Sequence, residues 1–223
     1  NSKISKNILK VGIPASLDMF IMSIAVALYL IFITIISGDY GVAAYTSGQR
    51  IYLFAIMPLT AIGTAVVAVC GSAFGAENGD YLSRAHKYGA RFGILFGLAV
   101  TIIVVIFATP IASIFAYTPE TTHLVSGISL FLQFAFLSIP FTGAGMASSF
   151  LYQGIGRGVT SLFFTIFREV ICTVILTYLF GIVFGWGLSG IWIGLAVGRS
   201  IASIVNYIYG RHTIKQIRTK LGT

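Results

Sequence analysis

Five ionisable side chains lie inside long apolar runs of this sequence: Asp18, Arg50, Arg168, Glu169 and Arg199. A charge in such surroundings is costly unless it is paired, hydrated or used, so ionisable groups at membrane depth are candidates for function. At ~1.5 Å per helical residue, Asp18 falls in the inner third of its run and Arg50 in the outer third. Arg168, Glu169 and Arg199 fall near the middle of theirs. The chemistry open to such a set is ion pairing, exchange of a proton or cation at a carboxylate, and recognition of a charged substrate. Depth favours Asp18 with Arg199, and Glu169 with Arg50 or Arg199. Arg168 and Glu169 are neighbours expected on different faces of an α-helix, and are not expected to neutralise each other. Three cations against two anions leave a positive excess, which a water-filled cavity would accommodate. A buried network that only fixes helix register is the alternative.

Uncharged polar groups accompany these charges. Tyr45, Gln49 and Tyr52 follow an i, i+4, i+7 spacing, which places them on one helix face, and Gln133 lies in another apolar run. The tyrosine–glutamine stripe has two readings, the lining of a substrate cavity or, for Tyr45, an anchor at the membrane interface. Pro14, Pro58 and Pro140 are hinge candidates, because proline removes a backbone donor and kinks a helix. Pro58 to Ala65 and Pro140 to Ala147 share the order proline, large apolar, threonine, small, any, glycine, any, alanine.

Six elements must hold these residues. The apolar runs cover Ile8–Ser37, Gly41–Phe74, Gly89–Ile114, Thr121–Tyr152, Ser161–Phe184 and Leu188–Tyr209. A spanning helix needs ~20 mostly apolar residues, and lipid offers the backbone no hydrogen-bond partner, so such runs must be helices. The expected fold is all-α, a single lobe of six transmembrane helices over residues 1–223. Of the 14 Lys and Arg residues, 11 flank the runs: Lys3, Lys6 and Lys10, then Arg84, Lys87 and Arg91, then Arg157, and finally Arg211, Lys215, Arg218 and Lys220. The connections Gly38–Tyr40, Ala116–Glu120 and Gly185–Gly187 carry none. Cytoplasmic segments collect Lys and Arg, so both termini are expected in the cytoplasm and the protein in the cell membrane.

Composition excludes several classes. The chain is 57% hydrophobic and 9% charged, with a mean hydropathy of +0.95, far from a soluble domain. Its net charge of +8 is explained by membrane topology and anionic lipid rather than nucleic acid, since the cations form short flanks and no basic face. Cys70 and Cys172 fall inside runs, which argues against a structural disulfide. His86, His123 and His212 are widely separated, and the motifs HExxH, GxSxG and CxxC do not occur, so neither a metal site nor an enzyme is expected. The chain begins at Asn1 without an initiating Met, which suggests part of something longer.

Two glycine series, Gly89, Gly93, Gly97 and Gly190, Gly194, Gly198, repeat every four residues and let another backbone approach closely. They serve either packing inside the bundle or a seam against a second lobe. The stretch Gln153-Gly154-Ile155-Gly156-Arg157-Gly158 lacks the Lys-Ser/Thr of a phosphate loop and reads as a tight turn.

Taken in order, several stretches resemble the MATE family (multidrug and toxic compound extrusion), which shares a superfamily with flippases of lipid-linked saccharides. They are Gly12-Ile13-Pro14-Ala15, Pro58 to Gly75-Ala76, Gln153-Gly154-Ile155-Gly156-Arg157, Phe167-Arg168, and Phe184-Gly185-Trp186-Gly187-Leu188-Ser189-Gly190-Ile191-Trp192. The resemblance implies two six-helix lobes around a cavity open alternately to each side, exporting small organic substrates in exchange for Na⁺ or H⁺, with no other cofactor. The partners would be the bilayer and a second lobe, either a missing N-terminal half or a second copy; the basic lead and cationic tail fit the C-terminal lobe. The sequence departs from the pattern where some family members carry a carboxylate, near Met22 and in the fourth helix, where Gln133 is the nearest polar group. A flippase for a lipid-linked saccharide and a non-transporting scaffold are the alternative functions.

Overall fold

A computed structural model describes the backbone of residues 2–221 and the side chains of residues 12, 13 and 16–221. Its longest helix, Ser2–Gly75, contains 74 residues and would reach ~110 Å if straight, several times the ~30 Å hydrocarbon thickness. It is broken at Gly38, whose φ of 54° and ψ of −145° are not helical. That conformation is essentially open only to glycine. The chain doubles back there: a Cβ on Gly41 would stand 2.7 Å from Ile33 Cγ2, eight residues earlier, whereas eight residues of straight helix span ~12 Å. We therefore separate α1 (2–37) from α2 (39–75).

The remaining helices are α3 (Gly79–Ile106), α4 (Ala108–Phe115), α5 (Val125–Leu137), α6 (Ile139–Gly154), α7 (Gly158–Val183) and α8 (Gly187–Leu221). Asn78 caps α3, its Oδ1 accepting from Tyr81 N at 2.8 Å. The cationic tail after the sixth apolar run is not a separate segment; it continues α8 to Leu221.

Side-chain meetings fix the relative directions of the helices. Tyr45 stacks on Trp192 and Tyr52 lies beneath Arg199, so α2 and α8 advance together, seven residues on each. Tyr29 meets Glu169 and Ile36 meets Gly181, so α1 and α7 are also parallel. Gly93 faces Gly143 while Gly97 faces Pro140, which makes α3 and α6 antiparallel. Gly194 against Thr177 and Gly198 against Thr173 do the same for α7 and α8. These directions are those of a chain that crosses a layer six times, with α3–α4 and α5–α6 each forming one broken crossing.

The two hinge candidates within the described side chains behave differently. Pro58 is exposed, and residues 39–75 stay helical through it, so it is not a break. Pro140 sits just beyond a 49° bend between α5 and α6. Having no N–H, it cannot donate to the Phe136 carbonyl four residues earlier; Thr101 Oγ1 of α3 donates there instead, at 2.7 Å. Pro14 lies outside the described side chains.

The glycine series are used inside the lobe. A Cβ on Gly93 would lie 2.8 Å from Gly143 C and O, one on Gly97 2.8 Å from Pro140 Cα, and one on Gly194 2.6 Å from Thr177 Cα. These contacts are backbone against backbone, and the proposed seam along Gly190, Gly194 and Gly198 is instead the α7–α8 interface. Gly93→Ala is thus expected to force α3 and α6 apart and cost ~1–3 kcal/mol. Gly75→Ala, where a Cβ meets nothing within 4 Å, should be nearly silent. Melting temperatures of the two variants in detergent check this, and equal values would contradict the packing assigned to Gly93.

Candidate functional site

Three of the five charged residues, Arg168, Glu169 and Arg199, come together around an irregular stretch of α7. Phe167–Val174 and Leu179–Val183 are π-helical, and Thr173 Oγ1 donates to the Arg168 carbonyl five residues back, at 2.6 Å. A π turn packs more residues per revolution than an α turn, so consecutive side chains diverge less. This corrects the expectation for the central pair: Arg168 Nε donates to Glu169 Oε1 at 2.9 Å. Insertions of this kind are frequent at functional sites.

Glu169 is buried and also accepts from Tyr29 of α1, whose hydroxyl stands 3.0 Å from Oε2 and 3.1 Å from the Glu169 carbonyl. Arg199, on α8, is equally enclosed. Its guanidinium carbon lies 5.1 Å from the centre of the Tyr52 ring, a cation–π geometry. Glu169 is within its electrostatic reach but not in contact. Asp18 is half-buried, its Oδ1 enclosed without a hydrogen bond, and it forms no ion pair with Arg199; Arg168 is the arginine within its electrostatic reach. Arg50 is exposed on α2 and forms no ion pair with Glu169, because residue 50 faces away from the side of α2 that carries Tyr45 and Tyr52.

The stripe Tyr45–Gln49–Tyr52 faces the same interior. Tyr45 is 1% exposed, which removes it as an interfacial anchor. Its ring stacks on Trp192, with centroids 6.0 Å apart, and meets Phe131 edge-on at 5.7 Å. Tyr52 meets Phe136 edge-on at 5.7 Å. Four polar atoms along this α2–α8 seam, Tyr45 Oη, Gln49 Oε1, Trp192 Nε1 and Arg199 Nη1, are buried without a protein hydrogen bond. Buried polar atoms are normally satisfied, so four such atoms along one seam mark it as a place where a further polar partner could bind. Gln133 does not join it; the residue is exposed on the outer side of α5, while its neighbours Phe131 and Leu132 point inward.

Tyr29 and Trp192 were not legible as site residues, since an aromatic on an apolar helix is ordinarily core. His86 was missed for another reason. It lies near a loop in sequence, yet it is fully buried, stacked on Tyr207 at 5.4 Å and hydrogen-bonded through Nε2 to Ser148 Oγ at 2.9 Å. Among the described residues no cluster of three or more His, Cys, Asp or Glu is arranged to hold a metal ion.

Comparison with known proteins agrees with this geometry. The MatE family model matches residues 14–179. The chain is 24% identical to a probable multidrug resistance protein NorM of Thermotoga maritima, over 96% of this chain and 46% of the relative. It is 25% identical to a probable multidrug resistance protein YpnP of Bacillus subtilis, over 96% and 47% respectively. The crystal structure of a MATE protein in complex with MaL6 superposes with a TM-score of 0.95 at 33% identity, covering 98% of this chain and 49% of that one. A MOP superfamily transporter from Pyrococcus furiosus gives 0.94 at 33% identity, covering 98% and 48%. The chain therefore spans about half the length of the relatives it matches, and it is the half that forms one lobe of their architecture. With the family model covering most of its length and the superposition nearly complete, this multi-pass membrane protein belongs to the MATE family of transporters.

Proposed function

We propose that the chain forms one lobe of a secondary active exporter of organic compounds, driven by Na⁺ or H⁺ entering the cell, and that Glu169 carries the charge on which coupling or substrate binding depends. The observation behind this reading is a mid-depth carboxylate buried within a π-helical stretch, held between Arg168 and Tyr29 and near a second, incompletely bonded arginine. A carboxylate so placed can exchange its partner arginine for a cation or a proton, and such an exchange would alter the α1–α7 contact. Asp18, near Arg168 on the same side, is the second candidate. Family membership supports the transporter class.

The opposing wall of the cavity is a second lobe, either another half of the same polypeptide or a second copy. Both ends of the chain face the cytoplasm of a cell-membrane protein, a reading supported by the eleven flanking cations and the cation-free connections between them. An anionic cargo, such as a lipid-linked saccharide phosphate, is favoured only by the unpartnered Arg199 Nη1.

Three experiments test these statements. A single Cys at Tyr40 or Thr118 should react with an impermeant reagent added outside, and one at Lys215 should not; the reverse pattern would overturn the orientation. Glu169→Gln should abolish gradient-driven export in the intact transporter while leaving folded yield close to wild type. Tyr29→Phe removes a bond to the same carboxylate, worth ~1.5–3 kcal/mol for a charged partner, and should lower the melting temperature while export persists. Wild-type export by Glu169→Gln would refute the role of Glu169. A collapse in folded yield would assign Glu169 to structure instead, because breaking a buried pair costs ~3–5 kcal/mol.

A further inference from the structure

We propose that the cleft between the first turns of α3 and the last turns of α8 is a binding site for a phosphate group, carried by an anionic lipid or by a soluble phosphate. The cleft has a volume of about 560 Å³ and is bordered by His86 and Lys87 of α3 and by Arg211, His212, Lys215 and Arg218 of α8. That volume is within the ~300–1,000 Å³ typical of small-molecule sites. Lys87, Arg211 and Lys215 are exposed and, among the described residues, have no carboxylate partner. Arg218 is held by Asp80 at 2.5 Å, a contact that ties the two helix ends together and shapes the cleft.

Membrane topology alone places cations at this end of a bundle, but it does not make them converge. Residues 211, 215 and 218 share one face of α8, and that face is turned toward Lys87, more than a hundred residues earlier in the chain. The wall also contains His86, fully buried, with Nε2 engaged by Ser148 and Nδ1 lacking any protein partner. Three free cations converging on one cleft suit an oxyanion, because charge-assisted bonds to phosphate are roughly twice as strong as neutral ones. The cleft lies beyond Tyr209, where the apolar run of α8 ends, at the depth of lipid headgroups. Basic pockets between transmembrane helices at that depth suit anionic headgroups. The site is distinct from the Glu169 cluster, and its existence does not depend on the function proposed for that cluster.

The test uses the intact protein purified in detergent, with thermal unfolding measured after addition of dioleoyl phosphatidylglycerol, dioleoyl phosphatidylcholine or inorganic phosphate. Occupancy of a native-state site raises the melting temperature, here by ~2–4 °C for each kcal/mol of binding. The expected result is a rise with phosphatidylglycerol and none with phosphatidylcholine, lost in the triple variant Lys87→Gln, Arg211→Gln, Lys215→Gln. A rise with inorganic phosphate that is lost in the same variant also supports the site and assigns it to a soluble ligand. The single variant Lys215→Gln, with bound phosphatidylglycerol counted by native mass spectrometry, keeps the test readable if the triple variant folds poorly; it should retain fewer lipids than wild type. No rise with either anionic ligand, an equal rise with phosphatidylcholine, or a rise undiminished in the variants overturns the proposal.

Discussion

Everything in this lobe rests on how closely its helices can approach. Lipid is as apolar as leucine, so burying an apolar side chain between membrane helices gains little, and adhesion comes from dispersion at short range. The lobe achieves that range where side chains are absent. Gly93 against Gly143, Gly97 against Pro140, Gly194 against Thr177 and Gly198 against Thr173 bring backbones together along two antiparallel seams. These seams fix the axial positions of α6 and α7 relative to their neighbours, and through them the depth at which every polar side chain is held. The bend before Pro140 is accommodated in the same seam, where the Thr101 hydroxyl supplies the donor that proline lacks.

Close packing also makes the charge cluster expensive and therefore specific. An acid enclosed at mid-depth persists only if bonds replace its lost water. Glu169 receives two, one from its sequence neighbour Arg168 and one from Tyr29 across the α1–α7 contact. The π turns make the first of these feasible by rotating adjacent residues toward a shared side. Arg199 follows a different logic. It is covered by an aromatic face instead of a carboxylate, and one of its nitrogens has no protein partner. The two arginines near Glu169 are thus unequal: one is committed to the carboxylate, and the other is held close but not bonded.

The sequence made the coarse architecture readable because the bilayer imposes it: six apolar lengths, and two glycine series that had to meet other backbones. The number of crossings follows from residues such as Gly38, whose single non-helical torsion pair reverses the chain within what is otherwise one continuous helix. Partner choice was not readable. Pairing by depth assumes straight α-helices turning at a uniform rate, and the π-helical stretch of α7 violates that assumption at Arg168 and Glu169, where it mattered most. Faces were equally hard to assign, because in a membrane both the core and the lipid side of a helix are apolar. Gln133 and Arg50 therefore could not be told from inward-facing groups, and Tyr29 could not be told from ordinary core. His86 reads in the sequence as one of three widely separated histidines, although Ser148 of α6 and Tyr207 of α8 hold it in the interior.

That continuation gives α8 an unusual share of the lobe's interactions. It is the most enclosed of the long helices. One face carries Gly190, Gly194 and Gly198 against α7; another presents Trp192 and Arg199 to α2; its last turns present Arg211, Lys215 and Arg218 to α3. Arg199 and Arg211 are twelve residues apart on one helix, or ~18 Å along its axis. A rigid element contacting three neighbours at three depths cannot slide or rotate at one contact without disturbing the others, since packed interfaces have discrete arrangements rather than a continuum. The α7 helix that carries Glu169 packs on α8 through the glycine seam, and α8 bears both the buried arginine and the basic cleft. The mid-depth charge cluster and the basic cleft share no residue, yet both are built on α8, so the placement of that one helix sets the geometry of each.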